Sequence, residues 1–280
     1  MVSPMLGHQR APTRVRRRDE PADPAPDGRF RRLIRATHVD FIAVPVEDLS
    51  RADAFYGETL GLTRNPHSSG EKWVEYETGN LTIALSLYGG VVALRVEDVA
   101  DARAELEQSG LSFAMDTFDS GACHGAPFAD PDGNHLQLHR RYAPTERFEI
   151  PVTEVQRTDF IGVNVRDRSQ SSEFYGETLG LGQNPLASEG WPEFEADNVG
   201  LVLSTPEQKG GGEYRPEYRI ALRVADVATT MERLQSAGVE FEFPEPYDSG
   251  VCHMAFFSDP DGNLLALHHR YAAYSDGSQP

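Results

Sequence analysis

Two dipeptides, Cys123-His124 and Cys252-His253, each precede a further histidine by the same interval, His139 and His268. An imidazole titrates near pH 6.5, so a facing pair of them could move protons at neutral pH. A thiol beside an imidazole could instead be a nucleophile, although a cysteine fits equally as a small core hydrophobe. Arg219 and Arg223, four residues apart, offer fixed cations to a carboxylate, phosphate or enolate, or an ion pair to a nearby glutamate. Gln137, His135, Trp73, Trp191 and Glu193 complete the set that could touch a small organic molecule, the tryptophans as flat walls.

These residues come in twos because the chain repeats itself. Phe55–Leu62 recurs unchanged as Phe174–Leu181, Asp40-Phe-Ile as Asp159-Phe-Ile, and Ala93–Val96 as Ala221–Val224. Asp119–Asn134 matches Asp248–Asn263 at twelve of sixteen positions. The offset grows from 119 to 129, which places a Gly-rich loop insertion around Glu207–Glu217. The organisation implied is a tail over 1–35, a domain over 36–143, a linker over 144–155, a second domain over 156–273 and a tail over 274–280.

The first copy predicts a strand at Phe41–Val46 and a helix capped by Ser50 and running to Leu60. Strands follow at Trp73–Glu77 (Trp191 opening its counterpart), Leu81–Ser86 and Val91–Val96. Asp98 caps a helix over Val99–Ser109, ended by Gly110, with a faint strand near Leu111–Phe113. Cys123–Phe128 and His135–His139 form a hairpin across Asp130-Pro-Asp-Gly-Asn134. Period-two alternation gives each sheet one aliphatic face (Ile42, Val44; Val92, Leu94; Leu136, Leu138) for the helices. The other face, with Arg95, Gln137 and His139, or Arg219, Arg223 and His268, is the functional candidate. Four-residue turns at Asp130–Gly133 and Asp259–Gly262 would set His124 opposite His139 and His253 opposite His268, with Cβ atoms roughly 5 Å apart. A slip of one residue would bring Cys123 and Cys252 there instead.

Composition narrows the partners. A net charge of −18 over 280 residues argues against nucleic acid, and two cysteines exclude a disulfide framework or a four-thiolate zinc site. No apolar run is long enough for a membrane span, and Met1–Gly28 lacks the apolar stretch of a secretory leader. Nine arginines in Met1–Thr37 and the Pro21–Gly28 segment among them, which has no apolar face, read as a disordered tail to about Arg35. The expectation is a cytoplasmic protein, monomer or homodimer, whose partner is a small molecule.

The strand, the Phe-Tyr-x-x-x-Leu-Gly-Leu helix and the closing Phe-x-Asp-Pro-Asp-Gly-Asn hairpin resemble the vicinal oxygen chelate superfamily. That superfamily includes glyoxalase I, extradiol dioxygenases, fosfomycin-modifying enzymes and bleomycin-binding proteins. The resemblance implies an α+β fold: two tandem glyoxalase-like domains, each a pair of βαβββ modules curled as a mixed sheet around a concave cavity. It also implies positions for a divalent metal, which fall on Phe41, Ala84, Val91 and Gln137, and on Phe160, Val202, Arg219 and Ala266. Of these only Gln137 has a donor, and one amide oxygen cannot hold a metal. His38, an odd offset from Phe41, is assigned to the opposite face. No metal and no other cofactor is expected.

Three readings of the histidines stay open: repeat-derived packing beside Tyr142 and Tyr271, acid–base catalysis, or a displaced metal site with Glu75 or Glu193. Two functional classes follow. One is a metal-independent isomerase, cyclase or lyase acting on a planar or anionic molecule through His and Arg. The other is a bleomycin-resistance-like protein that sequesters a drug or metabolite. Arg219 and the extra loop favour the second domain as the working one.

Overall fold

The period-two alternation is realised as two curled eight-stranded mixed sheets, one in each half of the chain, in this computed structural model. The structure describes residues 34–144, 148–188, 190–206, 213–273 and 277, the side chains of Ser68 and Ser69 excepted. The expected tail over residues 1–33, the centre of the inserted loop and most of the C-terminal tail lie outside the described residues.

The first sheet comprises β1 (Val39–Pro45), β2 (Thr63–Gly70), β3 (Trp73–Glu77), β4 (Thr82–Ser86), β5 (Val91–Arg95), β6 (Phe118–Asp119), β7 (Cys123–Ala129) and β8 (His135–Arg141). The second comprises β9 (Val155–Asn164), β10 (Gly182–Gln183), β11 (Glu193–Ala196), β12 (Val199–Ser204), β13 (Tyr218–Val224), β14 (Tyr247–Asp248), β15 (Cys252–Ser258) and β16 (Leu264–Arg270). Both have one order, β2-β3-β4-β1-β5-β8-β7-β6 in the first and its counterpart in the second, so two modules join at the central β1–β5 or β9–β13 pair. The aliphatic faces are buried as expected: Ile42, Ile83, Leu94 and Leu138, and Ile161, Leu201, Leu222 and Leu267, are at most 1% exposed. At about 25 cal/mol per Å² of apolar surface, these rows are the main stabilising term of each half.

The helices are α1 (Leu49–Asp53), α2 (Val99–Gln108), α3 (Arg168–Glu173) and α4 (Val227–Ser236). Asp98 caps α2 as expected, accepting from the Asp101 amide. Asp48, not Ser50, caps α1: its carboxylate accepts from the Ser50 and Arg51 amides at 2.9 and 3.2 Å, which pulls the helix start forward. After Asp53 the helix widens into a π-helical turn over Ala54–Thr59, repeated at Phe174–Thr178. Gly57 in that turn is forced by packing, since a Cβ there would stand 2.9 Å from the Tyr76 hydroxyl oxygen. The strand expected near Leu111–Phe113 is only a single bridge from Phe113 to Phe128; the edge strand is β6, further along.

The repeated motifs lock the two halves together. Tyr56 donates to Asp259 and Tyr175 to Asp130, both at 3.0 Å, so the helix motif of each half grips the hairpin turn of the other. Asp132 and Asp261, read from the sequence as turn formers only, reach across as well: Asp132 accepts from Ser171 at 2.7 Å and Asp261 from Arg51 at 2.5 Å. Ile34, placed by the sequence in the tail, is buried, and its amide donates to the Thr178 carbonyl.

Candidate functional site

The hairpin register decides which side chains meet. The turn holds five residues rather than four, because the Asp130 carboxylate accepts from the amides of both Asp132 and Asn134 and draws Asn134 into the loop. Ala129 therefore pairs with His135, Gly125 with His139, His124 with Arg140 and Cys123 with Arg141. In the second half His253 pairs with His269 and Met254 with His268. The expected facing of His124 with His139, and of His253 with His268, is overturned: odd offsets send them to opposite faces of the sheet. His124 instead packs on the Tyr142 ring at 5.0 Å, near Asp119, and His253 on Tyr271 at 4.8 Å, near Asp248. A displaced metal site built on facing histidines fails with the same geometry.

The same register puts Cys123, Gly125, His139 and Arg141 on one face, with the sulfur diagonal to the ring. On its other side, His139 Nδ1 meets Asp40 Oδ2 at 2.5 Å, and Arg95 Nε donates to Asp40 Oδ1 at 2.6 Å. Ser120 Oγ lies 3.1 Å from the Cys123 sulfur. The second half repeats every link: His268 to Asp159 at 2.6 Å, Arg223 to Asp159 at 2.6 Å, and Ser249 to the Cys252 sulfur at 3.1 Å. His139, Asp40, His268 and Asp159 have side chains at most 11% exposed.

This burial makes the charges interdependent. Desolvation opposes a charged His139, but the hydrogen bonds and fields of Asp40 and Cys123 outweigh it and raise the imidazole to about 9. His268 is raised to about 9 by the same balance with Asp159 and Cys252. Burial also opposes a Cys123 thiolate, yet hydrogen bonding to His139 and Ser120 brings the thiol below its ordinary value; Cys252 follows suit. Asp40 sits below the usual carboxylate range: burial works against it, and His139 and Arg95 prevail.

Sequence parity missed Asp40 and Asp159. β1 pairs Val39 with Leu94 but Phe41 with Ala93, so Asp40 is the extra residue of a β-bulge, and Asp159 is its counterpart between Thr158 and Phe160. The bulge turns a carboxylate toward His139 that strict alternation would send away, and it also voids the offset used for His38, which lies 3.7 Å from Asp197. The repeated Asp-Phe-Ile tripeptide was the available signal.

The remaining candidates scatter. Phe41 stands edge-on to both His139 and Trp73, and Trp73 donates to Glu75 at 2.8 Å. Trp191 does not open a strand: Pro192 removes a ladder donor, and the ring is 46% exposed in the loop before β11. Glu193 is half-buried and accepts from Asn184; burial and Glu195 push its carboxyl upward. Gln137 is buried, its amide close to Gly125. Arg223 is committed to Asp159. Arg219 pairs with Glu242 at 3.0 Å and stacks on Phe256, 4.7 Å from the ring centre. His135 is exposed and helps line a cavity of about 410 Å³ with Tyr218, Gly90 and Leu264. The positions that the resemblance assigns to a divalent ion do not fit one: Phe41, Ala84 and Val91 carry no donor, and Arg219 brings a cation. Among the described residues no three His, Cys, Asp or Glu converge to hold a metal.

Comparison with known proteins agrees with this architecture. The model of the Glyoxalase/Bleomycin resistance protein/Dioxygenase superfamily matches twice, over residues 38–138 and 157–267. A probable lactoylglutathione lyase of Vibrio cholerae serotype O1 is 27% identical over 119 residues, which cover 38% of this chain and 84% of that protein. The Mn(II)-bound glyoxalase of Novosphingobium aromaticivorans superposes with a TM-score of 0.59 at 15% identity, covering 84% of this chain and 82% of that one. Homoprotocatechuate 2,3-dioxygenase of Arthrobacter globiformis gives 0.65 at 15% identity, covering 88% and 83%. At such identity the two structures speak for the fold alone.

Proposed function

This chain belongs to the Glyoxalase/Bleomycin resistance protein/Dioxygenase superfamily, and from that premise we propose that the inner faces of its two curled sheets, here called bowls, bind a small planar or anionic organic molecule and transfer protons without a divalent metal. The observation that carries this reading is the buried Asp–His pair on the inner face of each sheet, Asp40–His139 and Asp159–His268. An imidazole raised to about 9 holds its proton at neutral pH, so it enters the reaction as an acid and leaves it as a base. Asp40 and Asp159 fix the tautomer and the ring plane, and Arg95 and Arg223 hold those carboxylates in turn. Such a site suits isomerisation, cyclisation or elimination next to a carbonyl, where the charged ring stabilises a developing oxyanion.

The edge-on wall of Phe41 and Trp73 supports a second reading, sequestration of a flat ligand, which needs no acid. Thermal-shift screening with aromatic acids, quinones and glycopeptide drugs, each with and without a divalent metal panel, identifies a ligand. His139→Gln with His268→Gln then separates the two. Turnover falling 10²-fold or more with binding kept supports proton transfer. Unchanged behaviour supports sequestration, and stoichiometric metal whose removal abolishes binding overturns both.

A further inference from the structure

We propose that Cys123 is a nucleophile: its sulfur adds to the β-carbon of an alkene conjugated to a carbonyl, with His139 delivering the proton, and that Cys252 with His268 is the same device in the second bowl. This deepens the proton-transfer reading, on which it rests, by naming the atom that reacts and the class of substrate.

Four placements carry it. Cys123 and His139 share the inner face by strand register. His139 Nδ1 is committed to Asp40, so Nε2 is the nitrogen left for the sulfur. Ser120 Oγ touches the sulfur at 3.1 Å, and the charge of Arg141, paired with Cys123 across the hairpin, also favours the thiolate. Phe41 lies edge-on against the imidazole with centroids 5.2 Å apart, an apolar surface beside the reacting pair that suits a flat conjugated molecule. The second half keeps the full set, Cys252, Ser249, His268, Asp159 and Phe160. A cysteine kept only for packing needs neither a hydroxyl nor a charged ring.

The step balances within the site. A sulfur lone pair forms the C–S bond, the alkene π pair moves onto the carbonyl as an enolate, and the α-carbon takes the Nε2 proton. The imidazole left neutral stays hydrogen-bonded to Asp40. In reverse the imidazole removes that proton and the thiolate is expelled, so no oxidant or reductant is consumed. Between the two halves the former double bond is single and free to rotate, which makes geometric isomerisation the simplest net outcome.

N-ethylmaleimide, a flat alkene conjugated to two carbonyls, is the probe. The full chain is treated at pH 6.5 and each cysteine is timed by peptide mass spectrometry, in the native state, in urea and in His139→Gln. Cys123 is expected to react at least tenfold faster in the native protein than in the urea-unfolded chain, and at least tenfold faster than in a folded His139→Gln. A native rate equal to or below the unfolded rate overturns the proposal whether or not the variant folds; so does an unchanged rate in a folded variant. A bowl that binds its ligand while Cys123 stays inert removes the nucleophile and leaves proton transfer standing. A reactive Cys123 in a protein that needs metal removes the metal-free reading alone.

Discussion

The two bowls share a charged chain and the phenylalanine edge-on to its imidazole, and differ at several positions around it. Asp40, His139, Cys123, Ser120 and Arg95 recur in the second half with every hydrogen bond kept. Around them, Val91, Ala114 and Pro127 in the first bowl stand where Arg219, Glu242 and Phe256 form a stacked ion pair in the second. Gly125, which leaves room for the Phe118 ring, is replaced by Met254, and Tyr247 in the place of Phe118 is 52% exposed. Cys123 is half-buried where Cys252 is buried. A buried ion pair contributes little net stability compared with well-packed apolar residues, so stability alone does not explain a charged chain kept in both halves. The difference teaches that the charged chain is common property and that the side chains around it have separated.

The sharpest way to break that comparison is to remove the shared carboxylates. Asp40→Ala leaves His139 and Arg95 without their buried partner, and Asp159→Ala strands His268 and Arg223. Each is expected to cost about 3–5 kcal/mol in urea unfolding, because an uncompensated buried charge is left behind. Asp159 should sit at the upper end, since Arg157 adds a further cation at 3.8 Å. Costs below about 1 kcal/mol in either half would show that the chain is not a structural unit there.

Most of the scaffold behind this chain was legible before any coordinates. Repetition, alternation and the Asp-Pro-Asp-Gly-Asn turn depend on local chemistry, and they led to two β-rich copies with the correct buried faces; the curl of the sheets came from the family resemblance. The candidate site was half legible: His139 and His268 were read onto the inner face, where the strand register has them, but with the wrong neighbours. Two single-residue events explain this. A bulge at Asp40 depends on the pairing of β1 with β5, some fifty positions away, and the fifth turn residue depends on one carboxylate collecting two amides. Each event changes which face a side chain takes, and period-two reasoning cannot register an extra residue. Thus His124 was promoted and Asp40 overlooked.

A smaller effect tests the walls. Glu242 neutralises Arg219 in the second bowl, and in the first bowl the counterpart of Arg219 is Val91 and that of Glu242 is Ala114. Glu242→Gln frees the guanidinium for a ligand carboxylate, so affinity for an aromatic acid should rise about tenfold, or 1.4 kcal/mol, in that bowl. Isothermal titration of Glu242→Gln and of Glu242→Gln with Arg219→Met reads the difference. A gain that survives loss of Arg219 would place the acid elsewhere and would erase this distinction between the bowls.

The smallest effect is a pH slope, and its sign identifies the protonation state of the shared chain. His139 and His268, raised from 6.5 to about 9, contribute stability that is fully present below about 6.5 and is lost as pH rises through 9. Cys123 and Cys252, lowered from an ordinary 9.0, contribute stability that is present above that value and is lost as pH falls through their folded values. Above pH 6.5, wherever the thiol has ionised while the imidazole keeps its proton, the pair binds one proton, as a neutral imidazole and thiol do in the unfolded chain, so the two slopes cancel and Tm is flat over that window. Replacing a sulfur removes only the rising slope. Asp40 or Asp159 still holds the imidazole proton, so Cys123→Ser and Cys252→Ser should each lose up to about 1.4 kcal/mol per pH unit over that window, a few degrees in Tm. Equal slopes in the two variants match the equal chains of the two bowls. A wild type that already declines, with no steepening on either substitution, would mean that the sulfurs stay protonated and that the shared chain ends at histidine.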